Sequence, residues 1–126
     1  MEIELKASPL EFKSYQGNNT YVESLAYDLD VLKIVVVAES NKRIEVIFHQ
    51  PLGFRCLDEG DLLEFWENPE ITNNWLVQIY DSGWLAQESK RAGFLSNDID
   101  VKEFLIKGQN ECINILDTES PKVRQI

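Results

Sequence analysis

Apolar and polar residues alternate along most of this chain with a period of two. In EIELKA, Ile3, Leu5 and Ala7 fall on one side and Glu2, Glu4 and Lys6 on the other, the pattern of a half-buried strand. TYVESLAYDL places Tyr21, Glu23, Leu25 and Tyr27 together. Residues 28–30 read as a turn, and VLKIVVVAE follows as a β-branched strand. SNK at 40–42 is the next turn signal. RIEVIFH then sets Ile44, Val46 and Phe48 opposite Arg43, Glu45, Ile47 and His49. Three such runs joined by short polar turns predict an antiparallel meander. Further along, NWLVQIY and WLAQES flank DSG, and VKEFLI and ECINIL flank KGQN. Each pair predicts a hairpin. Pro121 is expected to end the last strand and the tail KVRQI to fray. Residues 8–19 and 88–98 carry no clear period and read as loops.

One stretch departs from this period. GFRCLDEGDLLEFW, residues 53–66, contains Asp58, Glu59, Asp61 and Glu64. Asp58 has the chemistry of an N-cap, its carboxylate accepting from a free N–H of a first helical turn. Leu57 and Leu62 stand where a hydrophobic staple would need them. Glu59 and Asp61 fall in the first turn, where the helix dipole favours negative charge. At 100° per residue, Leu62, Leu63, Phe65 and Trp66 form an apolar arc, and Asp61, Glu64 and Glu67 the opposite face. A helix over about residues 58–67 follows, stopped at Asn68-Pro69. It is too short to stand alone, so its apolar side must lie on the sheet and its carboxylates face solvent. The expected fold is therefore mainly β (α+β): an antiparallel barrel or sandwich of about eight strands, with one short inserted helix.

The chain has 126 residues, which fits a single domain over residues 1–126. A chain of this size buries enough surface to need no metal or disulfide staple. Its 22 acidic and 12 basic residues give a formal net charge of −10. Most of that excess lies in residues 1–70. A field of this sign repels nucleic acid and anionic lipid and draws in basic partners. MEIELKAS has neither the basic nor the apolar region of a signal peptide. The longest apolar run, IVVVA at 34–38, is too short to span a bilayer. A cytoplasmic protein is the expectation. Cys56 and Cys112 fit no CxxC pattern and read as two small buried reduced thiols.

Catalytic signatures are lacking. His49 is the one histidine, so any nucleophile–histidine pair would have to use it, and no GxSxG elbow supports that. One His and two Cys are too few for an ordinary zinc site. NDID at 97–100 with Glu103 lacks the glycine spacing of a calcium loop. No phosphate loop or dinucleotide fingerprint occurs. No cofactor or metal is expected, and no enzymatic activity. Trp66, Trp75, Tyr80 and Trp84 lie close together in sequence. Most belong in a core, and Trp84 is the best candidate for an exposed anchor at a partner interface.

The segments GFRCLDEGDLLEFW, NWLVQIYDSGWLAQES and FLIKGQNECINIL, over about residues 52–116, resemble small bacterial immunity proteins that accompany polymorphic toxins. The resemblance implies inhibition by binding and carries no catalytic residues. Together with the charge, it makes a non-enzymatic immunity protein the leading expectation. Such a protein would neutralise a basic toxin by surface occlusion, with Asp61, Glu64, Glu67 and Trp84 at the contact. The rival expectation is a small-ligand-binding β-barrel, or an enzyme of unknown type, with a pocket near His49, Arg55 and the tryptophans. A homodimer through an edge strand is a third.

Overall fold

A computed structural model describes residues 6–9, 20–38, 41–58, 68–72, 74–81, 83–90 and 100–126. Nine strands run through them: β1 (Lys6–Pro9), β2 (Tyr21–Tyr27), β3 (Val31–Val37), β4 (Arg43–His49), β5 (Gly53–Asp58), β6 (Leu76–Asp81), β7 (Lys102–Lys107), β8 (Glu111–Asp117) and β9 (Lys122–Gln125). Two short helices join them, α1 (Pro69–Thr72) and α2 (Trp84–Glu88). One sheet has the order β1-β6-β7-β8-β5 and the other β2-β3-β4-β9. Every pairing is antiparallel.

The two sheets stack as a sandwich, because each strand sends alternate apolar residues inward. Leu32, Ile34 and Val36 of β3 and Ile44, Val46 and Phe48 of β4 meet Leu76 of β6, Phe104 and Ile106 of β7, and Ile113 and Ile115 of β8 in one buried cluster, with Trp75 among them. The Phe48 and Phe104 rings, one from each sheet, lie 5.5 Å apart. A second cluster occupies the other face of the five-stranded sheet, where Val77, Ile79, Leu105 and Cys112 pack with Ile71 of α1. Both faces of that sheet are thus buried at its centre. This is why β7 and β8 read as nearly continuous apolar runs and not as clean alternation.

The β2–β3–β4 meander and the β7–β8 hairpin agree with the sequence periodicity, and the sandwich is the realised form of the antiparallel expectation. Two local expectations are corrected. WLAQES does not return as a strand beside β6; residues 84–88 form α2. Tail residues 122–125 do not fray but pair with β4 as the edge strand β9. Val123 turns in toward the core, and the Ile126 N–H donates to the Arg43 carbonyl at 3.0 Å. Pro121 precedes that strand, where its missing N–H costs no ladder bond. A further helical turn begins at Pro69, with proline at the first position of α1. The expected helix over 58–67 falls, beyond Asp58, outside the described residues, and Asp58 itself closes β5.

Candidate partner-binding surface

Trp84 stands at the head of α2, half-buried on the outer face of the five-stranded sheet. Its position follows from a polar network that the sheet itself supplies. In the antiparallel register Arg55 of β5 faces Asn114 of β8, and Leu105 of β7 faces Asn114 from the other side. Arg55 Nε donates to Asn114 Oδ1 at 3.1 Å. Asn114 Nδ2 donates to Glu103 Oε2 at 2.9 Å. The Glu103 carboxylate then accepts the Trp84 N–H at 3.1 Å and the Leu85 N–H at 2.8 Å. A carboxylate from a neighbouring strand thereby caps the first turn of α2, a role ordinarily filled from within the helix. The Trp84 indole lies over the Arg55 guanidinium, 5.0 Å from ring centre to Cζ, and its Nε1 donates to Glu88 Oε1 at 3.1 Å.

Glu103 is 1% exposed. Burial pushes its carboxyl above the ordinary 4.5, against the opposing pull of the Leu85 and Trp84 N–H groups, Asn114 and Arg55. Both oxygens have donors, so the network fastens α2 to the sheet and holds Trp84 in place. It has the chemistry of an anchor. Gly83 permits this close approach: a Cβ there would stand 2.7 Å from Glu103 Oε1 and 2.7 Å from Ile79 Cγ2.

A different surface closes one end of the sandwich. The register Val31↔His49, Gly53↔Leu116 and Lys102↔Asp117 brings the β2–β3, β4–β5 and β8–β9 connections to that same end. The first is an Asx turn: Asp28 Oδ1 accepts the Asp30 N–H at 2.9 Å and the Val31 N–H at 2.8 Å. Those bonds, the Val31 one foremost, hold the Asp28 carboxyl below its usual range. Between the two aspartates, Leu29 is thrown outward, 85% exposed, with φ at 77°. A branched residue is strained there. The second connection is tied to the first. The Gln50 N–H donates to the Asp30 carbonyl at 2.6 Å and Gln50 Nε2 to Asp30 Oδ1 at 3.2 Å, with Gln50 also at positive φ, 53°. Leu52, 45% exposed, is fixed by its N–H to the Leu116 carbonyl at 2.7 Å. Tyr27 is exposed beside them, its ring edge-on to Phe54 at 5.2 Å.

Tyr27, Leu29 and Leu52 are thus exposed apolar residues at the end of the sandwich whose connections also carry Asp28, Asp30, Asp117 and Glu119. Asp117, unlike the others, is 2% exposed. Its Oδ1 accepts the Glu119 N–H at 3.1 Å. Its Oδ2 is buried and has no hydrogen-bond partner among the described residues. Burial raises its carboxyl above 3.8, opposed by the Glu119 and Thr118 N–H groups; the Glu119 charge adds to the rise, and His49 opposes it.

The sites anticipated from sequence are divided by the fold. Asp61, Glu64 and Glu67 lie outside the described residues. Trp84 is brought together with Arg55 but is packed and hydrogen-bonded, not a bare ring beside a hairpin loop. His49 stands on β4 of the other sheet and Trp75 is buried in the core, while Arg55 meets Trp84 on the outer face. Cys56 and Cys112 are not bonded to each other, and only Cys112 is buried. Leu57↔Cys112 and Cys56↔Ile113 are the paired residues, which sends the two sulfurs to opposite faces. Partial desolvation, and then the Glu111 charge, raise the Cys56 thiol above 9.0, which disfavours the nucleophilic thiolate. No group of three or more His, Cys, Asp or Glu among the described residues could hold a metal ion. No described helix is long and apolar enough to cross a membrane. The end-loop surface was missed because its signal, Asp-Leu-Asp at 28–30, reads as a turn and nothing more. An exposed leucine between two turn aspartates was the available clue. Set against protein families, curated proteins and solved structures, the chain matches none of them.

Proposed function

We propose that this protein acts by binding, as an immunity-type inhibitor that covers the surface of a basic protein partner. The observation that carries this reading is the joining of a −10 net charge to exposed apolar residues, Leu29 and Leu52, on loops at one end of the sandwich. Apolar residues rimmed by charge are the anatomy of a protein–protein contact. The acid excess selects the sign of the partner and speeds its arrival. The sequence resemblance to toxin-associated immunity proteins supports the same activity. The experiment is to purify the product of the adjacent gene and mix it with this protein. Stoichiometric inhibition through a tight complex, with neither chain altered in mass, is the expected result. Catalytic inactivation at substoichiometric amounts would overturn it.

A further inference from the structure

We infer that the end formed by residues 28–30, 49–52 and 117–119 receives a cationic side chain of the partner, which settles against Asp117 with Leu29 and Leu52 as its apolar shoulders. This rests on the reading of the protein as a binder of a basic partner, and names where and through which chemistry that partner is held.

Three observations lead there. First, Asp117 is a buried carboxylate with one oxygen, Oδ2, lacking a hydrogen-bond partner among the described residues. A buried carboxylate left half-satisfied is costly to the fold. The basic residues beside it are His49, an exposed residue at the end of β4 whose charge reaches it, and Lys102, its register partner on β7. Oδ2 is closed off from solvent, so a partner's guanidinium or ammonium completes the set of donors, with a charge-assisted bond, by parting the loop ends over it. Second, the loops around Asp117 carry exposed apolar residues that serve no core. Leu29 is the clearest case, 85% exposed and at a backbone angle that asparagine or glycine would occupy with less strain. Third, the rim carboxylates Asp28, Asp30 and Glu119 match a cationic group in sign and oppose an anionic one. The aliphatic stem of arginine or lysine suits the leucines while its head meets the acids.

The test uses the whole protein and a blocked Leu-Arg-Leu-Arg-Leu peptide, with its citrulline counterpart as a neutral isostere. Binding is followed through backbone amide shifts in solution. The arginine peptide is expected to shift amides within 28–31, 49–52 and 117–119, and the citrulline peptide to leave them in place. Asp117→Asn keeps the shape of the side chain and removes its charge, so affinity should fall roughly tenfold, the scale of one charge-assisted contact. Leu29→Asn should also weaken binding while raising the unfolding midpoint, which separates loss of contact from loss of fold. Equal shifts with citrulline, or unchanged affinity in Asp117→Asn, would overturn the inference. Shifts confined to residues 61–67 would also overturn it, and would leave the reading as a binder of basic partners standing. That reading falls separately if the adjacent gene product is not inhibited stoichiometrically.

Discussion

Gly83 and Glu103 decide how α2 is seated. With only hydrogen at Cα, Gly83 lets the first turn of the helix come down onto the Glu103 carboxylate and the Ile79 side chain. Gly83→Ala places a methyl 2.7 Å from atoms of both, so helix and carboxylate must part. The expected loss is about 1–3 kcal/mol, read from the shift in urea midpoint. Glu103 leads to a second prediction, of pH dependence. Its folded-state carboxyl lies above 4.5 because it is buried. The native state therefore holds this proton more tightly than the unfolded chain does, and ionisation costs stability as pH rises from 4.5 through the folded value. Glu103→Gln cannot ionise. The stability of the wild type minus that of Glu103→Gln should fall with rising pH across that window and be flat below it. Paired denaturation curves at stepped pH check this. A difference that grows with pH would mean that the N–H donors at Trp84 and Leu85 outweigh the burial.

The elements differ in how far the sequence announces them. β3 and β4 are legible because each has one face in the core and one outside, so their alternation survives; in β2 a register shift between Val22 and Ser24 interrupts it, and Val22 and Leu25 both pack on the core. The β7–β8 hairpin is legible from its glycine-bearing turn. α2 is not, because WLAQE has only five residues and follows DSG, which reads as a hairpin turn. What makes it helical is a cap supplied by Glu103, nineteen positions away from Trp84 in sequence. No local pattern contains that. β9 is missed for the opposite reason: Pro121 is a stop signal only when the chain has no further ladder to join. Here β4 offers a free edge, and KVR puts Val123 between two charged residues, as that edge requires. Val123 faces the core. Arg124 faces out, donating from Nε to Glu45 at 2.8 Å. Val123→Asp would bury a charge beside Val46, its register partner, and should lower stability by about 1–3 kcal/mol. Thermal unfolding decides between this and a frayed tail, for which the midpoint would not move. The end-loop surface was illegible for a further reason. Its residues come from three connections separated in sequence, and it takes the register of both sheets to bring them together.

Across the whole molecule the dominant fact is charge. At −10 the field extends over about a Debye length, ~10 Å at 0.1 M salt, and acts on a partner before any contact forms. Contacts and field should therefore separate in kinetics. Trp84→Ala removes a ring that packs over Arg55 and bonds Glu88, so it should lower stability by about 0.5–3 kcal/mol. If the exposed part of the ring also meets the partner, dissociation should quicken. Reversing Glu64 and Glu67 to lysine acts on the field. Each substitution changes the charge by two, so the pair takes the molecule from −10 to −6. Association with the proposed basic partner should slow by about tenfold at low ionic strength, with a shallower dependence on salt. On the sequence expectation that Glu64 and Glu67 face solvent, folding stability should change by less than about 0.5 kcal/mol. Stopped-flow association at several salt concentrations gives rate and slope together. A slower rate with an unaltered dissociation rate is the signature of steering. An association rate and salt slope that stay as in the wild type would take the carboxylates of 61–67 out of the encounter. The loop end, with Asp28, Asp30 and Glu119 around its leucines, would then be where the partner lands.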